Sequence, residues 1–211
     1  MRASECVCDM FVGELSNKLK TIKVHAFIIY ITNDNEDHLN YSHTGGFLSL
    51  YYFLEKGIAA NTTDFEKKKI ILDIIYNSLA YLASRENWNA DLVLDTYNTC
   101  LNKGINNEWW YRGKIVAAPN RKHYVGVYNI YDIRRFESYL VLFDQDKKEL
   151  IRHLIYRDKF DGFVINKVSW RNDKSFFITF STRQKKFVYS INDLLNSSVT
   201  IIPSKLLLAS N

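Results

Sequence analysis

A chain of 211 residues with 47% hydrophobic, 15% aromatic and 24% charged side chains, and only 2 prolines and 8 glycines, is too apolar to stay disordered and long enough for one large or two small domains. Its net charge of +5 is unevenly placed: residues 1–104 hold 10 Lys and Arg against 13 Asp and Glu, residues 105–211 hold 18 against 10. No apolar run approaches the roughly 18 residues of a membrane span, and three cysteines, Cys6, Cys8 and Cys100, exclude a fully paired disulfide framework.

In chain order, Met1–Glu5 leads into Cys6 without the apolar core of a signal peptide, so the expectation is a soluble, cytoplasmic protein with no membrane partner. Met10 to Leu19 is an amphipathic helix candidate, and the apolar run Val24 to Ile31 fits a buried strand. Asp37 to Gly46, with His38, His43, Ser42 and a diglycine, reads as a solvated loop before the next helix. That helix is expected from Leu48 to Lys56, closed by Gly57. Thr63-Asp64-Phe65-Glu66 is a capping box, followed by Ile70, Ile71, Ile74, Ile75, Leu79 and Leu82 at helical steps, which predicts a helix to about Arg85. Asn89 can cap a second helix that Gly104 stops, giving a helical hairpin.

After Gly113 the apolar period becomes two. Tyr124–Tyr128, Ser138–Phe143, Leu150–Tyr156, Phe163–Trp170, Ser175–Phe180 and Phe187–Ile191 alternate β-branched or aromatic residues with polar ones, and Asp144–Lys147, Asp161-Gly162 and Arg171–Lys174 supply turns between them. The predicted class is α+β. A mainly helical, acidic portion over 1–105 precedes an antiparallel, basic β meander over 106–211, as an open sheet or small sandwich, the whole packed as one compact unit.

The run Asn106-Asn107-Glu108-Trp109-Trp110-Tyr111-Arg112-Gly113-Lys114 lies at the junction. Neighbours in an extended segment point to opposite sides, so one tryptophan with Tyr111 is expected to bury against the helical hairpin, as the seam of the two halves, and the other to face a partner beside Arg112. The Asp37–Gly46 stretch looks the most catalytic, yet His38 and His43, five apart, share a face on neither helix nor strand. No nucleophile elbow, phosphate-binding loop or dinucleotide fingerprint is present, so no catalytic residue, metal ligand or cofactor is assigned. Cys100, beside Tyr97 and Leu101, reads as a small buried hydrophobe.

The basic clusters Arg121-Lys122, Arg134-Arg135-Phe136, Arg152-His153, Arg157-Asp158-Lys159 and Arg183–Phe187 interleave cations with aromatics, as modules that bind RNA or single strands do. They sit at predicted turns and strand ends, where cations also guard sheet edges. In its whole character, an aromatic-rich α+β chain without a catalytic motif, the sequence resembles bacterial immunity proteins, the cytoplasmic antitoxins of contact-dependent and polymorphic toxin systems. The resemblance implies a cognate protein toxin as partner, neutralised by docking over its active site. Candidate contacts are Trp110, Tyr111, Arg112, Arg121, Arg134 and Arg135, with Asp34, Glu36 and Asp37 facing a basic toxin. The alternative is a nucleic-acid-binding module using the basic, aromatic sheet.

Overall fold

The computed structural model describes residues 3–15, 18–21, 24–33, 41–58, 60–158, 165–180 and 186–196. The chain is α+β, with the long helices in its N-terminal half and antiparallel strands dominating the C-terminal half. Its contacts divide it into two compact units, Met1–Asn107 and Glu108–Asn211.

The first unit is three helices and a small sheet. α1 (Ala3–Leu15) buries Cys6, Val7, Met10, Phe11 and Leu15, the spacing of one helical face. α2 (Asp64–Glu86) starts at the predicted capping box: Thr63 Oγ1 accepts from the Glu66 amide at 3.2 Å, and the Glu66 carboxylate accepts from the Thr63 amide at 2.7 Å. α3 (Ala90–Asn102) is capped by Asn89, whose Oδ1 accepts from the Leu92 amide at 3.2 Å. Leu72, Ile75, Leu79 and Leu82 of α2 and Val93 and Cys100 of α3 are buried where the three helices pack together. Lys69 and Tyr97 join the hairpin through Asp73, which accepts from Lys69 Nζ at 2.5 Å and from Tyr97 OH at 2.7 Å.

The sheet of this unit comprises β1 (Ala26–Thr32), β2 (Tyr41–Thr44) and β3 (Phe47–Phe53), in the order β1-β3-β2. β1 runs parallel to β3, and β2 pairs antiparallel with β3 through a turn at Gly45 and Gly46, whose φ of 58° and 86° suit glycine. β3 corrects the helix expected from Leu48 to Lys56. Leu48 and Leu50 are buried while Phe47 and Tyr51 are exposed, which is period two, and a run of Leu, Tyr and Phe suits a pleated surface. The loop expected over Asp37 to Gly46 is likewise corrected, because Tyr41–Thr44 are strand and the glycines turn a hairpin. β1, expected to be buried, is half-exposed along its length. Asp34, Glu36, Asp37 and His38 lie outside the described residues.

In the second unit β4 (Asn107–Trp110) leads through a 3-10 turn, Tyr111–Gly113, to β5 (Val116–Ala117). β6 (Tyr124–Asp132), β7 (Arg135–Phe143) and β8 (Glu149–Asp158) form an antiparallel meander, with β4 beside β6 in the order β4-β6-β7-β8 and β5 also paired with β6. A second antiparallel sheet has β10 (Ser175–Phe180) between β9 (Ile165–Asn172) and β11 (Lys186–Ser190), and a short α4 (Ile191–Asn196) follows. The six predicted strands are all present. The expected start of one at Phe163, the Asp161-Gly162 turn, Lys159 and the Arg183–Lys185 cluster lie outside the described residues.

Two of the predicted turns form through their side chains. Asp144 Oδ1 accepts from the amides of Asp146 and Lys148, and Asn172 Oδ1 from the Lys174 amide. One glycine is required by packing. A Cβ on Gly126 of β6 would lie 2.8 Å from Ile115 Cγ2 and 3.1 Å from the Trp110 ring. Gly126→Ala is therefore expected to destabilise the protein by about 1–3 kcal/mol through overpacking, read from urea or guanidinium unfolding midpoints.

Candidate functional site

The outward face of the N-terminal sheet is the most unusual surface among the described residues. Register places Phe47 opposite Ala26, Ser49 opposite Ile28 and Tyr51 opposite Tyr30, and opposite residues share a face. On that face Ile28, Tyr30, Phe47 and Tyr51 are 39%, 44%, 51% and 48% exposed. Tyr30 and Tyr51 stack, ring centroids 5.1 Å apart and planes 22° apart. The opposite face is occupied: Leu48 and Leu50 are buried, Tyr52 OH accepts from Asn77 of α2, and Tyr41 meets Tyr81 edge-on.

Two physical points single this face out. Parallel strand pairs are ordinarily covered on both faces, and here one carries contiguous aromatic and aliphatic groups in water. β1 is also an edge of the described sheet, and its sequence Ala-Phe-Ile-Ile-Tyr-Ile-Thr holds neither the proline nor the charge that usually protects an edge. The surface thus offers apolar area beside a strand edge that no other described strand pairs. Sequence reasoning missed it; the legible signal was alternate aromatic residues in two runs, read instead as a buried strand and a helix.

The predicted contact residues fall in the second unit, apart from the three acids outside the described residues. Trp109 and Trp110 occupy different environments, as their adjacency in a strand requires: Trp109 meets Phe136 at 6.0 Å, while Trp110 lies over Gly126 and meets Tyr128 at 4.8 Å and Phe143 at 5.7 Å. These ring contacts are with the five-stranded sheet, where the sequence suggested the helical hairpin. Both rings are half-buried and hold the sheet's faces. Tyr111 OH donates to the Asn166 carbonyl at 2.7 Å, and Arg112 is exposed above the Tyr111 ring. Arg121 sits exposed in the turn before β6 and Arg134 in the β6–β7 turn, apart from Arg112 in sequence and in element.

Arg135 is engaged within the fold. Glu137, with 1% of its side chain exposed, takes Arg157 Nε at 2.7 Å, Tyr139 OH at 2.9 Å and, at 3.4 Å, Arg135 Nε. Arg152 grips Glu149 at 3.0 and 2.8 Å and lies over the Tyr128 ring, centroid 4.9 Å away. Tyr128 in turn donates to Glu108, and burial together with that carboxylate pushes its phenol up to about 12. Three arginines and three glutamates thus balance across β4, β6, β7 and β8.

Other reactive groups are muted. The Cys100 thiol is pushed up to about 11, first by burial and then by Glu14, and Cys6 is buried. His43 is exposed on β2. Among the described residues no three His, Cys, Asp or Glu are grouped to hold a metal, and no helix is long and apolar enough to cross a membrane. No protein-family model, curated protein or solved structure matches the chain.

His153 of β8 is buried, and burial holds its imidazole below the ordinary value of 6.5. On acidification the unfolded chain therefore takes up this proton before the folded chain does. The His153 contribution to stability is complete above the unfolded pKa and is lost as pH falls through the folded one. Urea unfolding is expected to show a fall in stability between about pH 7.5 and pH 5 that is smaller in His153→Phe. An equal fall in that variant would assign the effect to other groups.

Proposed function

We propose that this chain is a non-catalytic binding protein that docks a partner protein on the outward face of its N-terminal sheet, and that the partner is a toxin whose active site the docking covers. The observation that carries docking is the exposed patch of Ile28, Tyr30, Phe47 and Tyr51 beside an unprotected strand edge. Tyrosines are among the residue types that dominate interface energetics, and a stacked pair is already ordered, so little rotamer entropy is lost when a partner covers it. An edge strand adds a directional element, since a partner strand can extend the sheet beyond β1 by main-chain hydrogen bonds. The toxin as occupant rests on the resemblance to immunity proteins, and occlusion is the mechanism that needs no catalytic group on this chain.

The nucleic-acid alternative draws on fewer available cations than the sequence suggests. Arg135 and Arg157 share Glu137, and Arg152 is held by Glu149. A backbone-tracking groove needs positive charge without such neutralisation.

Purification of the tagged chain from its native host, with and without RNase treatment, followed by native mass spectrometry, tests the proposal. A stoichiometric protein partner is expected. Tyr30→Ala with Tyr51→Ala is expected to weaken that complex by roughly 30-fold or more with an unchanged circular dichroism spectrum. Recovery of RNase-sensitive nucleic acid without protein would overturn the reading, as would a folded double variant of unaltered affinity.

A further inference from the structure

The second unit contains a cavity of about 210 Å³ lined by Tyr111, Arg112, Lys114, Val116, Gly126, Val127, Lys167 and Val168. Its floor is apolar, with Val127 fully buried and Val116 and Val168 half-buried. Its rim is cationic. Arg112, Lys114 and Lys167 are exposed, and none has a carboxylate within ion-pairing distance among the described residues, in contrast to Arg135, Arg152 and Arg157 on the neighbouring strands.

The walls are held by bonds that do not use these cations. Tyr111 OH donates to the Asn166 carbonyl at 2.7 Å, and Trp170 Nε1 to the Val116 carbonyl at 2.9 Å, tying the 3-10 turn and β5 to β9. Arg112 is also held in a costly backbone conformation, φ 52° and ψ 24°, which a non-glycine residue adopts only where the surroundings impose it. Its guanidinium lies 5.3 Å from the Tyr111 ring centroid, placed at the cavity mouth.

From this geometry we infer that the cavity is an anion site for a small phosphomonoester, with Arg112, Lys114 and Lys167 neutralising the phosphate and the valine floor receiving the group it esterifies. The Tyr111 hydroxyl proton is committed to Asn166, so the charged donors dominate the rim; a sugar or base edge would need neutral donors and acceptors. Three cations over an apolar floor favour a dianion over a lone carboxylate, because the low-dielectric wall strengthens each contact and a single negative charge would leave two of the three cations uncompensated, a dianion one. A phosphodiester carries one negative charge and suits the rim less well. This inference does not rest on the docking surface of the first unit.

Titration calorimetry with phenyl phosphate, a phosphomonoester bearing an apolar body, tests it, beside inorganic phosphate and sodium chloride at matched ionic strength. Saturable binding of phenyl phosphate is expected, tighter than that of inorganic phosphate. Arg112→Gln with Lys167→Gln is expected to weaken it about tenfold or more while circular dichroism is unchanged. Lys114→Gln alone, on the same rim, is expected to weaken it in the same direction and serves where the double variant fails to fold. Equal affinity in a folded variant, no heat up to about 10 mM ligand, the weak end of specific recognition, or tighter binding of an oligonucleotide without terminal phosphates through Arg112 and Lys167 would each overturn the assignment.

Discussion

A carboxylate with 1% of its side chain exposed lies on β7, the strand between β6 and β8, and the charged groups on one face of the five-stranded sheet gather around it. Taking an ionisable carboxyl out of water costs several kcal/mol unless protein groups replace the solvent, on the order estimated for buried ions generally. For Glu137 the replacements come from its own strand, through Arg135 and Tyr139, and from the next, through Arg157. The Glu137↔Arg157 register makes the second of these possible, and a one-residue slip of β8 would send the guanidinium to the other face. The pairing therefore ties strand register to charge balance. It also explains why arginines that alternate with aromatics do not make an open basic surface here.

The first unit meets a different constraint. A parallel pair needs a crossover, and β1 and β3 obtain one by sending the chain past β3 into β2 and back through the diglycine hairpin. α2 covers one face of the resulting sheet through contacts such as Asn77 with Tyr52. With no second layer on the other side among the described residues, alternate side chains of β1 and β3 are exposed. The two units thus present surfaces of opposite chemistry. One pairs charges on a sheet face; the other leaves apolar side chains exposed, and an exposed apolar surface gains most from a partner.

Local signals were legible and non-local ones were not. The Thr63 capping box, the Asn89 cap, and the Asp144 and Asn172 turns each depend on residues within four positions of one another, so the sequence alone identifies them. The six meander strands follow from alternation. Misreading Leu48–Lys56 as a helix has a physical cause: leucine and tyrosine spaced two to four apart fit either period over a short run, and β1, which decides the matter by pairing with β3, lies some 20 positions upstream. The exposed apolar face was hidden for the same reason, since which side of an apolar strand is covered depends on α2. That Arg135 shares a carboxylate with Arg157 was not legible, because Glu137 and Arg157 stand 20 positions apart.

The charge of the second half can now be divided by location. Cations on β7 and β8 are neutralised by Glu137 and Glu149, while Arg121 stands in a turn of left-handed backbone and Lys147, with φ 60°, lies over Tyr124. Arg112, Lys114 and Lys167 differ from both groups, because they meet at one apolar-floored cavity with no carboxylate beside them among the described residues. Three of the 18 cations of residues 105–211 are therefore gathered on this part of the surface, where they act over about a Debye length, some 8–10 Å, on a ligand of similar size. A long polyanion needs a continuous stripe to release many counterions, and the paired arginines interrupt that stripe where the aromatic residues are densest. Composition alone suggested a nucleic-acid surface; the pairing of Arg135, Arg152 and Arg157 with glutamates removes three of the cations that such a surface would use.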